Sequence, residues 1–310
     1  MTRVAAIDCG TNSVRLLVSD LSTPVPTDVV RRMEIVRLGR GVDRTGRLAP
    51  EAIEATRLAL AEYAVQIREL GVARTRMVAT SATRDAANAA DFQSMVHETL
   101  GLAPEVITGS EEAHLSFAGA VRGLPAHLPE PYLVVDIGGG STEFVVGTRE
   151  PEHAISVDIG CVRMTERHLV DDPPTLEQVL EAEADIAAAV GRALAVVGTD
   201  GRTLVGLAGS VTTVTALALG LDAYRPEAIH HARVSYDEVT TVTRDLLGMT
   251  RERRLALPVM HPGRADVIGA GALILRVLMD AVGAPAVVAS EHDILDGICY
   301  SIASGPTMAP

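Results

Sequence analysis

The sequence predicts an α/β protein built from two duplicated halves. Three observations predict it. A β-rich run that ends in Asp, passes through a Gly/Ser/Thr turn and continues into a second β-rich run occurs twice, over residues 4–20 and 132–147. Strand-like and helix-like segments alternate after each copy. The 310-residue chain is long enough for about two domains, each with its own core.

The first copy reads Ile7-Asp8-Cys9-Gly10-Thr11-Asn12-Ser13-Val14-Arg15 and the second Val135-Asp136-Ile137-Gly138-Gly139-Gly140-Ser141-Thr142-Glu143. Both are β-hairpin signals with a tight, hydroxyl-rich tip. In each, a charged side chain follows the Asp by seven residues, Arg15 in one and Glu143 in the other. After the first hairpin the pattern predicts a strand over 29–38 and an amphipathic helix over 50–70. Ile53, Leu60, Tyr63, Ile67 and Leu70 make that helix's apolar stripe, and Gly71 stops it. A strand over 76–80, a helix over 89–100, a strand over 105–108 and a helix over 111–121 follow. After the second hairpin come a strand over 154–157, a helix over 176–197, a strand over 203–208 and a helix from about 211. Further helices run to 278, then a strand over 286–289 and a last helix over 294–302. The stretch 123–131, with three prolines and no periodicity, reads as the linker. Domains are therefore expected at 1–123 and 124–310, with the last helix free to pack back on the first, and the tail 304–310 is expected to fray.

Composition narrows the chemistry. The net charge is −13, a poor match to nonspecific binding of nucleic acid or an anionic membrane. The chain contains no lysine, so its 27 basic residues are all arginine. That removes Walker A nucleotide hydrolysis, pyridoxal phosphate enzymes and Schiff-base aldolases. The most apolar stretch, 269–289, is broken by Arg276 and Asp280 and reads as a buried helix followed by a strand. No signal peptide is visible, and Cys9, Cys161 and Cys299 have no zinc spacing, so reduced thiols in the cytoplasm are expected.

The tips are the first candidates for a site. Consecutive Gly, Ser and Thr let backbone N–H groups converge as a nest for phosphate oxygens, and Thr11, Ser13, Ser141 and Thr142 add hydroxyls. Two facing tips would form a cleft between domains, where small molecules bind. Asp8 and Asp136 beside such nests require a cation, and Mg²⁺ is the natural one, with Glu143 able to join. The plain alternative is that these residues only shape turns. In Gly109-Ser110-Glu111-Glu112, one glutamate is a candidate base for water; first-turn acids also serve a helix dipole. Arg84 and Asn88 sit at one strand-to-helix junction and Gly209-Ser210 at another. Arg163 and Glu166 read either as a surface pair or as part of the cleft wall.

Together, "AAIDCGTNSVRLLV", "ATSATRDAAN", "ITGSEEAHL", "LVVDIGGGSTEFVVG", "GCVRMTER", "GLAGSVTTVTAL" and "RADVIGAGALIL" resemble the exopolyphosphatase / guanosine pentaphosphate phosphohydrolase (Ppx/GppA) family of the actin–Hsp70–sugar kinase superfamily. The resemblance implies two duplicated ribonuclease-H-like (actin-like ATPase) domains with an interdomain cleft. It implies Glu112 as the base that activates water, and Arg84 as an arginine that grips phosphate. It implies Asp136 and Glu143, with Asp8, around Mg²⁺ or Mn²⁺. Thr11, Asn12, Ser13, Arg15, Asn88, Gly138, Gly139, Gly140, Ser141, Thr142, Gly209 and Ser210 are implied to grip substrate. One junction departs from the family's usual Gly-Gly-Thr or Ser-Gly-Thr, reading Ala208-Gly209-Ser210. The additional helical C-terminal domains of longer members are not expected.

The expected function is release of terminal orthophosphate from inorganic polyphosphate, with short chains preferred. Guanosine pentaphosphate is the alternative; no aromatic residue within 206–212 offers a platform for its base. An ATP-dependent kinase of a small metabolite, or a non-enzymatic phosphate-ligand sensor, are the remaining classes. A homodimer is expected, with neither nucleic acid nor membrane as a partner.

Overall fold

The computed structural model describes residues 3–22, 26–199 and 203–304. Residues 305–310 of the tail expected to fray lie outside the described residues. The chain divides into two compact units, Met1–Gly119 with Ile294–Pro310, and Ala120–Asp293.

The first unit opens with β1 (Arg3–Cys9), β2 (Ser13–Asp20) and β3 (Thr27–Ile35), then α1 (Val42–Thr45) and α2 (Pro50–Glu69). It continues with β4 (Arg74–Ala79), α3 (Ser81–Arg84), α4 (Ala89–Leu100), β5 (Glu105–Val106) and α5 (Gly109–Val121), whose end reaches the second unit. The second unit holds β6 (Tyr132–Ile137), β7 (Thr142–Gly147), β8 (Pro151–Val157), α6 (Cys161–Arg167), α7 (Leu176–Val197), β9 (Thr203–Leu207) and α8 (Ala208–Ala218). Then come α9 (Pro226–Ile229), β10 (Arg233–Ser235), α10 (Tyr236–Gly248), α11 (Arg251–Leu255), α12 (Ile268–Val282) and β11 (Ala286–Ala289). The last helix, α13 (Ile294–Ser304), belongs to the first unit and packs on β1, β2 and β4.

The duplication is visible in the sheets. The first has the order β3-β2-β1-β4-β5 and the second β8-β7-β6-β9-β11, with β10 added antiparallel at its edge. In both, the first three strands are antiparallel neighbours and the next two run parallel to the first. This is the ribonuclease-H-like arrangement of the actin-like fold.

Strand alternation builds the layers. In β1, Ala5, Ile7 and Cys9 face a core made with α2 and α4, including Leu60, Tyr63 and Phe92. Val4 and Ala6 face a second core with Leu115 of α5 and Ile294, Ile298 and Ile302 of α13. Asp8 shares the parity of this second face. In the second sheet, Leu133, Val135 and Ile137 face the main core with Ile186 and Val190 of α7. Asp136 therefore points to the opposite face.

Helix limits follow local chemistry. Pro50 sits in the first turn of α2, and Gly71 at φ 62° follows its end. Reciprocal capping boxes start α7 (Thr175 with Gln178) and α10 (Ser235 with Glu238). The stretch 269–289 is the buried helix α12 followed by β11, and no helix among the described residues is long and apolar enough to cross a membrane.

Several limits move. β3 ends at Ile35 instead of 38, because the next residues turn their amides to the first tip: Val36 and Arg37 to Asn12 O, Gly39 to Thr11 O at 2.8 Å. β5 covers only two of the four predicted residues, and α8 starts at Ala208 instead of 211. β10 was not predicted; three residues are too few to show a period.

Candidate functional site

Hairpin register assembles the candidate residues. In β1–β2, Asp8 stands opposite Arg15; in β6–β7, Asp136 stands opposite Glu143. The seven-residue spacing noted in the sequence is thus the distance around each hairpin. Extended across the sheets, one row reads Met33–Arg15–Asp8–Val78 and its duplicate Ser156–Glu143–Asp136–Leu207.

The two rows differ in charge. Arg15 donates from Nε and Nη2 to Asp8 Oδ2 at 3.0 and 2.7 Å, so the first row carries its own counter-ion. The second row places two carboxylates directly opposite each other, with Asp136 at 7% and Glu143 at 1% exposure. Like charges in that relation are unfavourable. The Ser156 hydroxyl donates to Glu143 Oε1 at 2.7 Å.

Both tips close with the same bond, Gly10 N to Ser13 O at 2.9 Å and Gly138 N to Ser141 O at 3.0 Å. In both, tip carbonyls are taken by the segment that follows the third strand. Thr11 O and Asn12 O accept from residues 36–39, while Gly138 O accepts from Cys161 N and Gly139 O from Val162 N and Arg163 N. Turning carbonyls inward is the orientation a backbone nest for an anion needs. Close approach requires glycine at Gly160: a Cβ there would lie 2.4 Å from the Gly139 carbonyl.

Around the first tip, Thr11 and Ser81 share a hydroxyl–hydroxyl hydrogen bond of 2.9 Å. Arg84 Nη1 donates to Glu112 Oε2 at 3.2 Å and to Ile107 O at 3.0 Å, and Glu112 is buried in the first turn of α5. Its neighbour Glu111 instead accepts from Arg76 at 2.7 Å and is only half-buried, so the two glutamates have separate settings. Asn88 accepts from Leu48 N and donates to Leu48 O, fastening that loop beside the start of α4.

Around the second tip, Thr142 donates to Ile159 O at 2.6 Å and Arg163 Nε donates to Gly140 O at 2.7 Å. Arg163, left open between surface and cleft by the sequence, is thus attached to the glycine tip. Gly209 and Ser210 form the first turn of α8, entered through Ala208 at φ 67°. A Cβ on Gly209 would meet the Arg264 guanidinium at 2.5 Å, and Arg264 Nη1 donates to Thr213 Oγ1 at 3.2 Å. Ser210 also reaches Cys161, whose thiol burial pushes up to about 11, against the opposing pull of the Ser210 hydrogen bond and Arg264.

Ser156 and Tyr224 stand outside every motif singled out in the sequence, while Gly160 and Arg264 open two of them, GCVRMTER and RADVIGAGALIL, without being selected as site residues. Ser156 and Gly160 had a signal, since each falls beside a tip once the duplicate hairpins are extended by a third strand. Arg264 had one in its place at the head of RADVIGAGALIL; Tyr224 had none, because only the fold brings it to α8. No aromatic residue lies within 206–212, but Tyr224 approaches from outside that stretch: its hydroxyl donates to Glu291 Oε1 at 2.6 Å and lies 2.8 Å from Thr212 Oγ1.

Among the described residues, no three His, Cys, Asp or Glu side chains gather as a closed metal cage. The Asp136–Glu143 pair fits a hard divalent ion that takes one or two carboxylates and fills the rest of its shell with phosphate oxygens and water.

Comparison with known proteins agrees with this arrangement. The profile of the Ppx/GppA phosphatase family matches residues 17–305. Exopolyphosphatase 2 of Mycobacterium tuberculosis is 50% identical, over 98% of this chain and 99% of its own length. The crystal structure of an exopolyphosphatase from Cytophaga hutchinsonii is 25% identical with a TM-score of 0.88, covering all of both chains. That of the Aquifex aeolicus Ppx/GppA family member is 32% identical with a TM-score of 0.82, covering 99% of each. With the duplicated sheets, the two glycine tips and a match over nearly its whole length, the chain belongs to the Ppx/GppA phosphatase family.

Proposed function

We propose that this protein is an exopolyphosphatase: it hydrolyses the terminal phosphoanhydride of inorganic polyphosphate and releases orthophosphate. The observation that carries the reading is the directly opposed, buried Asp136–Glu143 pair at the foot of a triple-glycine tip. Its full-length likeness to an exopolyphosphatase supports the same conclusion.

In this mechanism the second unit presents Asp136 and Glu143 as ligands for a divalent ion, Mg²⁺ or Mn²⁺, and the amides of Gly139 and Gly140 as donors to phosphate. A divalent ion held by these two carboxylates would supply positive charge against that of the phosphate. The first unit presents Thr11, Asn12 and Ser13 to phosphate and Glu112 to the attacking water. Glu112 takes the proton as the water oxygen bonds to phosphorus and the bridging P–O bond breaks toward the shortened chain. Arg84 fixes the Glu112 carboxylate and, with Arg15, offsets developing negative charge. Positioning and electrostatics supply most of the acceleration in phosphoryl transfer.

Tyr224 favours a second reading, 5′-phosphohydrolysis of guanosine pentaphosphate, because its hydroxyl bonds to Thr212, two residues after Ser210, and so brings an aromatic residue to α8. Phosphate release from polyphosphates of defined length, guanosine pentaphosphate and ATP, side by side with and without Mg²⁺, tests both. Metal-dependent release from polyphosphate supports the proposal; release from none of them overturns it.

A further inference from the structure

The duplicated rows act as an internal control for one residue that no part of the sequence reading selected. Where the row contains an Asp–Arg pair, the position on the third strand is Met33, which offers the pair no hydrogen-bond donor. Where the row contains two carboxylates, the same position is Ser156, and its hydroxyl lies 2.7 Å from Glu143 Oε1. The donor thus appears in the row that has two acids.

Resting on the proposed metal role of Asp136 and Glu143, we propose that Ser156 is a positioning residue that fixes the Glu143 carboxylate for the divalent ion. A flexible glutamate can turn away from a like-charged neighbour. One charge-assisted hydrogen bond from a rigid strand opposes that turn. It also restricts how the carboxylate presents itself to a ligand, the usual work of groups that hydrogen-bond metal ligands. Ser156 is half-buried on β8, two residues before Asp158 and four before Gly160, so the segment that packs on the glycine tip also carries the donor that orients the acid.

The test is direct Mn²⁺ binding without substrate, by electron paramagnetic resonance, on the full chain and on Ser156→Ala, Ser156→Thr and Glu143→Gln. The Mg²⁺ dependence of phosphate release from polyphosphate is measured alongside. Ser156→Ala is expected to weaken Mn²⁺ binding about tenfold and to raise the half-saturating Mg²⁺ by a similar factor. Turnover at saturating Mg²⁺ should largely recover, and Ser156→Thr, which keeps the hydroxyl, should stay near wild type. Wild-type Mn²⁺ affinity in a folded Ser156→Ala, with binding lost in Glu143→Gln, would overturn the positioning role and leave the metal site standing. Unchanged affinity in Glu143→Gln would overturn both. Circular dichroism confirms folding, and a Ser156→Thr as weak as Ser156→Ala would also overturn the role.

Discussion

Glu143 stands directly opposite Asp136 across β6–β7, in the register where Arg15 stands opposite Asp8 across β1–β2. One duplicated hairpin therefore carries an ion pair and the other a pair of acids at equivalent places. The first arrangement stabilises its hairpin; opposed acids are unfavourable by themselves, and on the proposed metal role a divalent ion would offset that cost.

That cost is measurable. Glu143→Gln removes the like-charge opposition and is expected to raise the metal-free melting temperature by about 2–4 °C, the shift for about 1 kcal/mol in a domain of this size. Saturating Mg²⁺ should stabilise the wild type, by about 2.7 kcal/mol at one hundred times its Kd, and should not stabilise the variant. Differential scanning calorimetry with and without Mg²⁺ reads both effects.

Gly160→Ala forces a methyl group against the Gly139 carbonyl. The tip or α6 must shift, with an expected loss of about 1–3 kcal/mol. Urea midpoints measure the stability loss, and phosphate release from polyphosphate should fall with it because the Gly139 amide moves. An unchanged midpoint would show that this approach is not tight.

Burial raises the thiols of Cys161 and Cys299 from an ordinary 9.0 to about 11 and about 12. A thiol with a raised native pKa keeps its proton in the fold after the unfolded chain has lost it. Its stabilisation is complete below pH 9.0 and is lost as pH rises through the native value. Tyr63 and Tyr224 are pushed the same way from 10.0 by burial. Urea midpoints should hold from pH 7.5 to 8.5 and fall progressively above 9. At pH 8 a thiol reagent should leave the native protein unlabelled and react with all three cysteines in denaturant.

Ala208 enters α8 at φ 67°, a conformation that disfavours a side chain. Ala208→Gly is expected to stabilise the fold by roughly 1 kcal/mol, read as a higher urea midpoint.

Much of this was legible in the sequence because it is local or duplicated. Repeated hairpins announced the two sheets, and the limits of α4, α7 and β11 follow from periodicity and capping. The Asp136–Glu143 opposition was implicit in a seven-residue spacing. What stayed hidden depends on distant partners. β3 peels away at Val36 because the tip requires its amides, and β10 exists only as an addition to β11. Tyr224 and Arg264 reach α8 across twelve and fifty-one residues of chain, from Thr212 and Thr213 respectively. Glu111 and Glu112 look equivalent by composition and position, the resemblance alone selects Glu112, and the structure separates them by burial and by their arginine partners.

The central claim is that Glu112 activates water for attack on a terminal phosphate. Phosphate release from polyphosphate with saturating Mg²⁺, compared among wild type, Glu112→Gln and Glu111→Gln, tests it most directly. The account predicts that Glu112→Gln loses about 10²–10⁴-fold in turnover while still binding polyphosphate, and that Glu111→Gln stays within a few-fold of wild type. Near wild-type turnover in Glu112→Gln would contradict it.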